Sequence, residues 1–74
     1  MPLIVIRSEV ETALDTVLQA ALRALRNAGI FPTSAAQVRD SGGDLYGQIM
    51  IDPKDLTAAM ATLKAAGIKA EAPG

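Results

Sequence analysis

The chain contains no cysteine, no histidine and no tryptophan, and among its 74 residues the aromatics are Phe31 and Tyr46 alone. Without cysteine or histidine it forms no disulfide and lacks the soft ligands from which zinc and copper sites are built. The same absences remove the usual pairing of a nucleophile with an imidazole base, so the sequence carries no catalytic motif and a non-enzymatic role is expected. Two isolated aromatics offer no pair of rings on which successive bases could stack, which argues against an RNA-binding sheet.

Charge of either sign is also scarce. Seven basic and eight acidic side chains leave a net charge of −1, too little to steer nucleic acid or an anionic membrane. The apolar run from Leu3 to Ile6 is far too short to span a bilayer, and it has neither a basic region before it nor a small-residue cleavage site after it. These features point to a cytoplasmic protein with no cofactor, no nucleic-acid partner and no membrane contact.

Half of the residues are hydrophobic, and with so few aromatics the core has to be built from Leu, Ile, Val, Met and Ala. A domain of this length buries roughly 60 to 65% of its unfolded surface on folding, and its expected stability is about 4 to 11 kcal/mol. With no disulfide or metal to supplement a thin core, oligomerisation is the expected remedy, most simply as a homodimer.

Leu3 to Ile6 is apolar at every position and rich in β-branched side chains, the pattern of a central strand. Ser8 and Glu11 have capping-box spacing, and Val10, Leu14, Val17, Leu18, Ala21, Leu22 and Leu25 then recur at helical intervals until Gly29. This predicts a long first helix whose apolar stripe is wider than one sheet face requires. Residues 31–40 read as an edge strand, with Pro32 near its start. The "DSGGD" segment at 40–44 reads as a hairpin turn, with Gly42 and Gly43 able to take positive φ. In the next strand Leu45, Gly47, Ile49 and Ile51 share one face, while Tyr46, Gln48 and Met50 share the other. Asp52 before Pro53 starts a second helix with Leu56, Ala59, Met60 and Leu63 inward, and Gly67 ends it before a final strand, "IKAEA" at 68–72.

The predicted order is β-α-β-β-α-β: an α+β, ferredoxin-like sandwich of one domain, residues 1–74, with a four-stranded antiparallel sheet and two helices on one face. An internal echo supports two equivalent halves. "ALRALRNAGI" at 21–30 returns as "AMATLKAAGI" at 59–68, matching Ala21 to Ala59, Leu22 to Met60, Leu25 to Leu63 and Gly29–Ile30 to Gly67–Ile68.

In this arrangement the sheet face away from the helices carries Tyr46 and Met50, beside either Ile4 and Ile6 or Leu3 and Val5. An apolar patch without a partner predicts association. Ile4, Ile6, Tyr46 and Met50 are the expected interface on that face, with Val10 and Val17 on the wide side of the first helix. The carboxylates Asp40 and Asp44 flank the hairpin glycines, but two carboxylates alone make a poor calcium site and no metal is expected.

From Leu25 to Glu71 the chain resembles ACT-like regulatory domains: "NAGI" opens the second strand, a glycine-rich hairpin follows, and "ATLKAAGIKAE" closes the unit. It is also similar to the ligand-sensing domain of methionine-importer ATPases. The resemblance implies a ferredoxin-like module that pairs with a second copy and binds an amino-acid-like molecule beside the loop between first strand and first helix, to regulate a partner. On that basis Gly29 and Ile30, at the matching helix-to-strand turn, and Arg7 and Ser8, in the loop position, are the expected ligand-binding residues. In that loop this chain has "RSEV" where those families carry an acidic residue and a glycine. The alternative is a structural assembly module without a ligand, similar to the small ring-building domains of secretion systems.

Overall fold

The computed structural model describes residues 3–8 and 13–72; Glu11 of the expected capping box and the interface candidate Val10 lie outside them. The strands are β1 (Leu3–Ile6), β2 (Ser34–Arg39), β3 (Leu45–Met50) and β4 (Ala70–Glu71), and the helices are α1 (Leu14–Asn27) and α2 (Leu56–Ala65). All strand pairs are antiparallel and the sheet order is β2-β3-β1-β4. The chain is therefore an α+β protein with a four-stranded antiparallel sheet and two helices, consistent with a ferredoxin-like arrangement.

Residues opposite one another in an antiparallel ladder share a face. Ile4 faces Ile49 and Ile6 faces Gly47. These side chains point toward the helices, where Ile4, Ile6, Ile49 and Ile51 join Ala21, Leu25, Ala59 and Leu63 in the core, each 0% exposed. The expected interface at Ile4 and Ile6 is thereby corrected. The alternation of β1 gives those two residues to the core and places Leu3 and Val5 on the open face, opposite Met50 and Gln48. Val17 is half-buried against the core, as is Leu22, so packing against the sheet and α2 takes up much of the apolar width expected to be spare on α1.

Gly47 allows this close packing. A Cβ built at Gly47 would meet Leu18 Cδ1 at 3.0 Å and Ile6 Cβ at 3.6 Å, so the bare backbone of β3 is what lets α1 settle onto the sheet.

The sequence echo has a structural counterpart at the two helix ends. Ile30 donates its N–H to Leu25 O at 2.9 Å and Gly29 to Arg26 O at 3.0 Å; Ile68 donates to Leu63 O and Gly67 to Lys64 O, both at 3.0 Å. Each set is a Schellman stop, with glycine in the left-handed region at φ 80° and 76°. The start of α2 matches expectation: Asp52 Oδ1 accepts from the Lys54 N–H at 3.0 Å, and a 3-10 turn over Pro53–Asp55 leads into the helix. In the hairpin, Gly43 takes positive φ and Gly42 does not.

Three strands are shorter than their sequence patterns. Residues 31–33 and Asp40 do not join β2, β3 ends at Met50 before Ile51, and β4 keeps only Ala70 and Glu71 of the expected 68–72 segment. Ile30 N–H and Ile68 N–H are both committed to the helix stops, which holds the chain out of the ladder immediately after each glycine.

Candidate functional site

The strand registers decide which loops can meet. Ile6 pairs with Ala70 and Gly47, so the end of β1, the start of β4 and the start of β3 lie at one end of the sheet. Leu3 pairs with Met50, which pairs with Ser34, so the α1–β2 turn lies at the other end. Arg7 and Ser8, directly after β1, are consequently beside the α2–β4 turn and remote from Gly29 and Ile30.

At the first end a groove of about 780 Å³ runs along the β4 edge. Its apolar lining comes from Val5, Met60 and Ile68. Its charged lining is Arg7 from the end of β1, Lys64 from the last turn of α2, and Lys69 and Glu71 on either side of Ala70. Helix geometry puts Met60 and Lys64 on the same face, one turn apart. The exposed α2 stop brings Gly67 and Ile68 to the same wall.

Arg7 is held on the open sheet face by two partners. Its guanidinium carbon lies 5.3 Å from the centre of the Tyr46 ring, within cation–π range. Its Nη1 lies 3.9 Å from Asp40 Oδ2. The other oxygen of that carboxylate, Oδ1, accepts the N–H groups of Gly42 and Asp44, each at 2.9 Å. Asp40 therefore organises the hairpin with one oxygen and attracts Arg7 with the other. Arg39 completes the turn by donating from Nη1 to Gly43 O at 2.6 Å.

Of the four expected ligand-binding residues, Arg7 and Ser8 line the groove, whereas Gly29 and Ile30 do not. Ile30 is 5% exposed and belongs to the core. The residues that join Arg7 and Ser8 are the echo partners of Gly29 and Ile30, namely Gly67 and Ile68. The register puts Gly29 and Ile30 at the opposite end of the sheet from Arg7 and Ser8, so the four candidates do not come together, a separation that the antiparallel connectivity of the predicted order already implied. Tyr46 and Met50 are half-buried on the open face, as the strand alternation requires. Among the described residues there is no cluster of acidic side chains able to hold a metal ion, and no helix is long and apolar enough to cross a membrane.

What the groove offers chemically is an apolar floor with three cations and one carboxylate at its rim. Such a lining suits a small molecule bearing a carboxylate, an apolar body and, opposite Glu71, a cationic group. Comparison with protein-family models, curated proteins and solved structures finds no match to this chain.

Proposed function

We propose that the chain is a small regulatory module of ferredoxin-like, ACT-like architecture that homodimerises, binds an amino-acid-like molecule in the groove along β4, and thereby regulates a partner protein. The observation that carries the reading is the convergence of Arg7, Lys64, Lys69 and Glu71 around an apolar floor in a space of about 780 Å³, within the usual range for a small-ligand site. Arg7 is the anchor for a carboxylate, because its planar fork donates two parallel hydrogen bonds to one and Tyr46 already orients it. Glu71 is the counterpart for an ammonium group, and Met60 and Ile68 meet the apolar side chain.

The test is a titration of the protein with single amino acids and simple carboxylates, read as a shift of thermal unfolding. A ligand at one hundred times its Kd stabilises by about 2.7 kcal/mol, and Arg7→Gln is expected to weaken the effect by at least tenfold in Kd. Absence of stabilisation by every amino acid and carboxylate at millimolar concentration would remove the reading.

A further inference from the structure

The hydrogen-bond parity of the sheet can be followed from the hairpin to the β4 edge. Asp40 donates its N–H to Asp44 O at 2.9 Å, so Val38–Tyr46, Ala36–Gln48 and Ser34–Met50 are the hydrogen-bonded pairs of β2 and β3. Alternation along β3 then turns Gly47 and Ile49 toward β1, as hydrogen-bonded pairs with Ile6 and Ile4. Alternation along β1 in turn gives Val5 to β4, as a hydrogen-bonded pair with Glu71. Ala70, opposite Ile6, therefore turns both its N–H and its C=O away from β1, and it lines the groove. One wall of the groove is thus a strand edge that presents a backbone donor and acceptor outward, the feature with which an extended chain pairs.

We propose that the partner regulated by this module docks by adding an extended segment to β4, antiparallel, in the order basic, apolar, acidic, acidic. The antiparallel direction continues that of every pair in the sheet, and it lets one residue of the segment exchange both hydrogen bonds with Ala70. The groove's side chains set the rest. Residues opposite one another share a face, so the residue facing Ala70 lays its side chain on the helix side, against Met60 and Ile68. The residue before it falls opposite Glu71 and is basic. The residue after it falls opposite Lys69, on the face that carries Arg7, and the next returns to the helix side near Lys64; both are acidic. A segment with these charges reversed would set like against like at each position. The docked segment covers the surface assigned to the amino-acid-like molecule, so the two compete, and the free molecule acts by releasing the partner. The competition rests on the ligand reading of the proposed function, whereas the edge pairing rests on the sheet and the groove charges alone.

Fluorescence anisotropy of the full chain with a labelled synthetic peptide centred on Lys-Leu-Glu-Glu tests it. The peptide is expected to bind, and the free amino acids of the thermal titration are expected to displace it in the order in which they stabilise the protein. N-methylation of the peptide's leucine, which removes the N–H aimed at the Ala70 carbonyl, is expected to abolish binding. N-methylation of the glutamate after it, whose N–H points to solvent, is expected to leave binding unchanged. Both comparisons use the unaltered protein, so neither depends on a variant that folds. Glu71→Lys is expected to weaken binding about tenfold, and a peptide with glutamate in place of its lysine to regain it. No binding of the peptide, or equal loss from the two methylations, overturns the edge pairing and leaves the ligand reading intact. Amino acids that stabilise the protein without displacing the peptide overturn the competition. Peptide binding with the expected methylation pattern, but no stabilisation by any amino acid, supports the edge pairing and removes the ligand reading together with the competition.

Discussion

Single residues with little or no side chain set much of this geometry. Gly29 and Gly67 both sit at positive φ, and a Cβ at either would meet nothing within 4 Å. Alanine there costs backbone strain only, so Gly29→Ala and Gly67→Ala are each expected to lower stability by about 1 kcal/mol, equally within error, in urea unfolding. Gly47 has the opposite constraint, since its φ is unremarkable but its space is taken by Leu18. Gly47→Val is expected to lose about 1 to 3 kcal/mol through overpacking. Combining it with Leu18→Ala should cost less than the sum of the two single changes, as neighbours that share one space do. The charged residues were harder to place from sequence. Nothing in the spacing of Arg7, Asp40 and Tyr46 reveals that they meet, because the register between β1 and β3 brings them together.

At the level of elements, the residues that announced themselves were those with a local physical reason. Asp52 before Pro53, the two glycine stops and the alternation of β3 are all in place, because each depends on neighbours a few positions away. The equivalence of the two helices extends to burial. Ala21 and Ala59 are both fully buried, as are Leu25 and Leu63, while Leu22 and Met60 are both half-buried. Leu25→Ala and Leu63→Ala should each therefore cost about 2 to 5 kcal/mol, more than Met60→Ala, in the same urea measurement. Which face of β1 turns inward was not legible, since an apolar run without alternation has no polar side to mark. Nor was the polarity of β2: Gln37 and Arg39 lie on the helix side, where both stay exposed and Gln37 donates to Asp15 of α1, so their polar groups are not left buried without a partner.

For the whole molecule, the order β2-β3-β1-β4 puts β1 and β3 in the middle of the sheet with the fully buried Ile4, Ile6 and Ile49. Their amides are expected to exchange with solvent most slowly, through global unfolding, while that of the exposed Phe31 exchanges through local opening. Native-state hydrogen exchange measured by NMR checks this ranking. The candidate groove belongs to the same scale. Its lining joins the end of β1 to the last turns of α2 and to β4, so it exists only when the chain's two halves are interleaved, and a reading that scans neighbours along the sequence cannot assemble it.

That interleaving also governs the order of events in time. Every ladder partner of β1 comes from the far half of the chain: Leu3 waits for Met50, Ile6 for Gly47 and Ala70. On a ribosome, the first strand emerges with its backbone ladder unmade and stays so until the second hairpin strand has left the exit tunnel. Folding is therefore gated by long-range closure instead of proceeding from the amino end.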